Sequence, residues 1–423
     1  MYKSLGILLL IAVAVPSKAQ VLVAPSDVSN AKQLIDANSG HDTLNCEVHH
    51  QAPILDFGVR YEATFAISAD MSQFNPGDVA TSYLRVSPQG GPPVYLSDIY
   101  TIPPLASDQG VTDTASIRSK LLIRIMSGFD LGEGHYGVDF VLVNQHSESC
   151  HRHWTLQTPK HTGPIPVALS PHTVAPISPP VWNGKLDPNG IRLDVLIDAE
   201  PSKPGAARLD PVDDRQLLYT LATLLRNVPI RSIQVVAFNL EEQVEIFREQ
   251  EFSSADFADL ENALQHLELT VTSYQALQSG GAQPFLLKLA SEPAPDKNPF
   301  DAVAFIGARA QRHDSPQAQP VAPAASKFFY FEFDRAPRGL PMATRHTTPY
   351  DPMAGAIDCA TCIPPDPPFD HPVLVADSLE RLTKVLHGSV FRIQSAKDLV
   401  VSIPKMLAQI RSGASGQIVP HAN

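Results

Sequence analysis

Positive charge is scarce in this chain. Its 423 residues carry 32 Lys and Arg against 44 Asp and Glu, a formal net charge of −12. No general cationic field is present to hold a nucleic-acid backbone or an anionic lipid surface, which excludes generic polyanion binding. Long hydrophobic runs are missing as well: after residue 19 no stretch approaches the ~20 apolar residues that cross a bilayer. Cysteines number four, too few for a disulfide scaffold of this length. No Gly-x-Ser-x-Gly elbow, His-Glu-x-x-His pair, phosphate-cradling Gly-x-x-x-x-Gly-Lys loop or Gly-x-Gly-x-x-Gly fingerprint occurs. What is plentiful is proline, with 39 residues, about 9% where ~5% is usual. A hydrophobic share of 43% nevertheless argues against wholesale disorder. Two or three folded domains with proline-rich connections satisfy both facts.

Residues 1–19 combine Lys3, an apolar run Ile7–Val15, Pro16 and Ser17-Lys18-Ala19. A short cationic start, a short apolar core and a small-x-small ending form a signal-peptide pattern, with cleavage expected before Gln20. The expected location is therefore secreted or periplasmic, a compartment that permits disulfides. Cys46, Cys150, Cys359 and Cys362 admit three connectivities. The simplest is Cys46–Cys150 with Cys359–Cys362. The Cys359-Ala-Thr-Cys362 spacing also matches redox and zinc pairs. Its setting among Pro352, Pro364, Pro365, Pro367 and Pro368 favours a structural staple, and no second Cys-x-x-Cys completes a zinc site.

Residues 20–158 read as an all-β domain. From 54 to 68 apolar and polar residues alternate, with Leu55, Phe57, Val59, Tyr61, Ala63, Phe65 and Ile67 on one face, which predicts a half-buried strand or strand pair. Further strands are predicted at Tyr83–Val86, Val94–Tyr100, Leu121–Met126 and Tyr136–Val143. With the segments around Cys46 and Cys150 they give about seven short strands over roughly 115 residues, the pattern of an immunoglobulin-like sandwich. Strand period also places His49, His151 and His153 away from the cysteines, where three imidazoles could gather as a metal-binding or merely solvated patch. Residues 159–188, rich in proline from Pro159 to Pro180, read as a semi-rigid spacer.

The grammar then changes. Between 189 and 412 strands alternate with amphipathic helices, which predicts a mostly parallel, doubly wound sheet with helices on both faces. The strands are Ile191–Ile197, Ile233–Phe238, Val244–Phe247, Val303–Ile306, Phe328–Phe333 and Val390–Ile393. Helices are expected after Asp213 and Asp214, around Phe257–Leu267 and Tyr274–Leu289, around Leu379–Leu386, and through Leu399–Ile410. Long proline-rich loops fall at 315–325 and 337–372, and a flexible tail at 413–423.

This order of elements, with an Asp closing the first strand, resembles the von Willebrand factor A-like fold. Together with the preceding sandwich it is similar to bacterial secreted proteins related to that domain. The resemblance implies a metal-dependent adhesion site at the C-terminal edge of the sheet, where hard oxygen ligands hold Mg²⁺ or another divalent cation and a partner's carboxylate completes the octahedron. Its implied pattern is Asp-x-Ser-x-Ser plus a Thr and an Asp from later loops. Here the first loop reads Asp198-Ala199-Glu200-Pro201-Ser202, so Asp198 and Ser202 match while Glu200 replaces the middle serine. The threonine is Thr270 or Thr272. No Asp follows the Val303–Ile306 strand directly, Asp314 being the nearest. The site is thus degenerate, with Asp198, Glu200, Ser202 and Thr270 as its candidate ligands.

The function expected on this basis is non-enzymatic recognition of a protein or surface polymer. Two alternatives stand beside it. In one, the sandwich is the binding module and the A-like domain a scaffold. In the other, Asp198 and Glu200 act as an acid/base pair of a hydrolase, since neighbouring carboxylates push their pKa values apart.

Overall fold

A computed structural model describes residues 20–37, 42–102, 121–178, 182–201, 208–240, 242–267, 282–291, 298–309, 326–333 and 378–414. The expected signal peptide, Ser202, Thr270, Thr272, Asp314, the Cys359–Cys362 pair and both long proline-rich loops lie outside these residues.

The first part of the chain is β-rich. Its elements are β1 (Val21–Leu22), α1 (Val28–Asp36), β2 (Cys46–His50), β3 (Ile54–Leu55), β4 (Tyr61–Asp70), β5 (Val79–Pro88), β6 (Val94–Thr101), β7 (Leu122–Leu131), β8 (His135–Asn144), β9 (Ser149–Gln157) and β10 (Val174–Pro176). They form two antiparallel sheets, ordered β1-β6-β5-β8-β9 and β10-β7-β4-β2. The inward residues of both sheets, among them Phe65, Leu84, Phe129, Phe140 and Leu142, pack into one core. This is what strict period-2 alternation produces: one face of each strand is removed from water and the other is left to it. Cys46 and Cys150 are bonded across the two sheets. Trp154, four residues further along β9, packs against Phe65 and Phe140 and stacks on His50 with ring centroids 5.5 Å apart.

The second part is α/β. Its strands are β11 (Ile191–Asp198), β12 (Ile230–Asn239), β13 (Val244–Glu249), β14 (Ala302–Ala308), β15 (Lys327–Phe333) and β16 (Ser389–Ile393). The helices are α2 (Pro211–Asn227), α3 (Asp256–Gln265), α4 (Ala282–Ser291), α5 (Ser378–Val385) and α6 (Ala396–Ala414). The sheet order is β13-β12-β11-β14-β15-β16, parallel except for the edge strand β13. Alternate residues of the central strands feed two cores. Leu193, Val195 and Ile197 meet α2, α3 and α6 on one face, while Leu196, Val236 and Phe305 meet α4 and α5 on the other. A sheet covered on both faces needs apolar residues at every position, which is why β11, β12 and β14 read as continuous hydrophobic runs.

The alternating stretch at 54–68 resolves into a hairpin. β3 pairs with β4, and the turn Asp56–Arg60 carries Phe57 and Val59 out of the sandwich and into the core formed by α2 and the second sheet. Val59 is held at φ 59°, a left-handed conformation that a β-branched residue rarely adopts. Burial of its side chain, 1% exposed, and the hydrogen bond from Ala168 N–H to its carbonyl (2.8 Å) offset that strain.

Polar groups close the same junction. Thr223 Oγ1 of α2 donates to the Phe57 carbonyl at 2.7 Å, and Arg226 Nη2 donates to the Gly58 carbonyl at 2.7 Å. Arg60 reaches Asp130 at 3.0 Å, lies 3.8 Å from Asp56, and sits over the Tyr219 ring at 4.8 Å. Arg215 of α2 pairs with Glu62 of β4 at 2.8 Å. Burial pushes Asp56 up to about 6 against the pull of Arg60, and drives Asp130 well above the usual carboxylate range for the same reason.

The proline-rich stretch expected as an open spacer is instead packed. β10 extends the second sheet of the sandwich by pairing with β7, while Ile165 and Trp182 are buried in the α/β core. Pro176 suits its place because β10 is an edge strand, where a missing N–H can face away from the ladder.

Among the described residues no helix is long and apolar enough to cross a membrane. The intramolecular disulfide is compatible with an extracellular or periplasmic location. The Cys46–Cys150 bond closes a separation of 104 residues. Replacing both cysteines by serine is expected to lower the stability of the oxidised protein by about 2–5 kcal/mol, measured by urea unfolding.

Candidate functional site

The chain crosses from β11 to β12 on one side of the sheet and later returns to β14 on the other, so the C-terminal ends of β11 and β14 flank a topological switch point. Open α/β sheets collect ligands at such a crevice. Asp198 is the last residue of β11, standing opposite Phe238 on β12 and Gly307 on β14. It is 1% exposed. A Cβ on residue 307 would come within 2.7 Å of the Asp198 Cβ, so glycine there is what lets the two strand ends approach. The loop leaving β11 is anchored by backbone and amide bonds: Ala199 N–H donates to the Phe238 carbonyl at 2.7 Å, and Asn239 Nδ2 to the Ala199 carbonyl at 3.1 Å.

The next element, α2, begins beside this edge. Pro211 occupies its first turn, where a missing N–H costs nothing, and Asp210 accepts from Val212 N–H at 3.1 Å within a capping box completed by Asp213. Asp198, Glu200, Asp213, Gln216, Leu217, Ala308 and Phe333 line a small cleft. The helix N-terminus contributes a favourable partial positive charge to the carboxylates gathered there. Gln216, 7% exposed, has no acceptor for its Nε2 among the described residues.

The two carboxylates singled out in the sequence, Asp198 and Glu200, therefore do line one cleft. Asp213 and Gln216 join them, and the sequence reading assigned Asp213 only to the helix start. Ser202 and Thr270 lie outside the described residues, so their part in the site is not fixed. At the position where the resemblance implies a further carboxylate, Ile306 is buried in the core and Gly307 abuts Asp198. The donors fit a hard cation by chemistry, being carboxylates and an amide, but the set is incomplete. Among the described residues no group of three or more His, Cys, Asp or Glu side chains is placed to hold a metal ion.

The histidine patch is not assembled into a site. His151 Nδ1 faces Asp42 at 3.3 Å, His153 Nδ1 faces Asp139 at 2.8 Å, and His49 Nε2 faces Glu47 at 3.3 Å. Each imidazole has its own carboxylate, which makes three separate surface pairs.

One more acid lies beside the cleft. Asp214, the residue after Asp213 on α2, is 7% exposed, and burial together with Asp213, Glu261 and Asp210 pushes its pKa up to about 7. The folded state thus holds a proton that the unfolded chain releases near 3.8. Stability from this group is full below that value and falls as the pH rises to about 7. Asp214→Asn removes that loss. In urea unfolding across pH the variant is expected to gain about 1–3 kcal/mol on the wild type above about pH 7 and to gain least below about pH 4.

No known protein family matches the chain, and no curated protein matches it. Among solved structures, the X-ray structure of the Northeast Structural Genomics Consortium target SoR45 is similar at 17% identity, covering 28% of this chain and 91% of that one, with a TM-score of 0.18. A likeness at that level carries no argument about fold or function.

Proposed function

We propose that the chain is a secreted or periplasmic, non-enzymatic binding protein. In this reading an immunoglobulin-like sandwich is joined to a von Willebrand factor A-like unit that recognises a protein or surface polymer through a degenerate adhesion site. The observation that carries the reading is that Asp198, Glu200 and Asp213 line one cleft at the switch-point edge of the second sheet. Support for the A-like assignment comes from the sheet order, with β11 central and helices on both faces. Support for the immunoglobulin-like assignment comes from the inter-sheet disulfide, from a buried tryptophan in the same core, and from Tyr136, whose hydroxyl donates to the Gly132 carbonyl at 2.9 Å as in a tyrosine corner.

A divalent cation, when bound, would supply an open coordination position for a partner's carboxylate. Asp198, Glu200 and Asp213 are the described residues able to offer it oxygen, with Ser202 and Thr270 as further candidates. Each protein group would then serve to fix the ion's position.

Titration calorimetry with Mg²⁺ on the wild type and on Asp198→Ala tests this site. A saturable heat in the wild type that is lost in the variant is the expected outcome. Equal heats in both would sink the adhesion-site reading.

A further inference from the structure

The turn that enters the second core brings two buried acids to one guanidinium. Asp56 and Asp130 are 5% and 1% exposed. Both lean on Arg60, whose Nη1 lies 3.0 Å from Asp130 Oδ2 and whose Nε lies 3.8 Å from Asp56 Oδ2. The rest of that guanidinium reaches Ser178, with Nη1 3.4 Å from the hydroxyl and Nη2 3.3 Å from the carbonyl, and covers the Tyr219 ring. A third acid stands close by. Glu62 is directly opposite Asp130 in the register of β4 with β7, a position where like charges repel.

The other described elements around this spot bring Arg215, Tyr219 and Arg226 from α2, and uncharged Ala175 and Ser178 from beyond β7. Arg215 is engaged by Glu62 at 2.8 Å. Arg226 Nη2 donates to the Gly58 carbonyl and to Thr223 Oγ1. The Tyr219 hydroxyl donates to the Ser178 carbonyl at 2.9 Å, and burial raises its pKa, so it stays neutral. Arg60 is thus the cation that Asp56 and Asp130 share. Asp56 Oδ1 accepts the Arg60 N–H at 2.8 Å, whereas Asp56 Oδ2 and Asp130 Oδ1 accept no hydrogen bond among the described residues. Full charge on both acids is costly out of water, and burial accordingly raises both pKa values against the pull of Arg60, Asp56 to about 6.

We propose that Asp56 and Asp130 keep one proton between them while the turn is seated, so that this proton latches the sandwich to the second part and its loss loosens the turn. Opening the junction hydrates both carboxyl groups, and the proton passes to solvent, leaving two separate carboxylates. The seated state therefore binds a proton that the open state, at the ordinary aspartate value of 3.8, gives up. The latch is at full strength below that value and is lost as the pH rises through about 6. Above it, the turn is held only by the apolar contacts of Phe57 and Val59 and by the bonds from Thr223 and Arg226 to its carbonyls.

The test reads hydrogen exchange at the turn in the full chain, carrying Asp214→Asn so that the acid beside the cleft does not add its own pH dependence. The reporters are the amides of Val59 and Arg60, which donate to Asp56, and of Ala168, which donates to the Val59 carbonyl. Their protection, taken relative to the unfolded chain at each pH, is expected to fall about tenfold between about pH 5 and about pH 8. A flat profile overturns the proposal. Adding Asp130→Asn leaves Asp56 alone with Arg60, where it stays ionised, and is expected to hold the fall below about twofold over the same range. A fall of the same size with and without Asp130→Asn overturns it as well. Should that variant not fold, Asp56→Asn takes its place, with the same expected and contrary results.

Discussion

The constraint on which the rest of this structure depends is the insertion of one tight hairpin turn into a foreign core. Phe57 and Val59 belong by sequence to the sandwich, yet they are buried against α2 and the second sheet. A β-branched residue at positive φ and a cluster of buried charges are costly features, and each is held only because the other part of the chain surrounds it. Arg60 is the centre of that arrangement. It pairs with Asp130 and lies near Asp56 on the sandwich side, while its guanidinium lies on Tyr219 from the helix side. Removing any one partner would strand a charge out of water, which is why such clusters enforce a single geometry even where they add little net stability.

That geometry reaches the candidate site through α2. The face of α2 that meets the hairpin, with Arg215, Tyr219, Thr223 and Arg226, is on the same helix whose first turn supplies Asp213 and Gln216 to the cleft. Ile165 and Trp182, buried in the α/β core, add a second tie between the two parts. Any partner bound at the switch-point edge would therefore load a helix anchored to the sandwich, and the sandwich positions the site without touching it.

Much of the architecture was legible in the sequence because it depends on local periodicity. Alternation marked the strands of the sandwich, continuous apolar runs marked β11, β12 and β14, and the leucine stripe with Asp213 and Asp214 at its start marked α2. Proline content, in contrast, pointed to a spacer where the chain is packed, since composition shows that a segment is extended and not what lies beside it. The junction was hidden for a related reason. Asp56, Arg60 and Glu62 sit at polar positions of an alternating pattern, which reads as a solvated face, and only the α2 side chains from over 150 residues away bury it. Asp198 and Glu200 were found through a resemblance in the loop after β11. Gln216 carried no signal, because an amide on a helix is ordinary until its surroundings are known.

Because the hairpin turn is shared between them, the two parts are expected to unfold as one. Differential scanning calorimetry of the wild type and Phe57→Ala tests this most directly, since the variant empties the shared core of an aromatic ring at a typical cost of about 3–5 kcal/mol. A single endotherm in the wild type, with calorimetric and van't Hoff enthalpies equal, that separates into two in the variant is the predicted result. Two separate endotherms in the wild type would contradict the account.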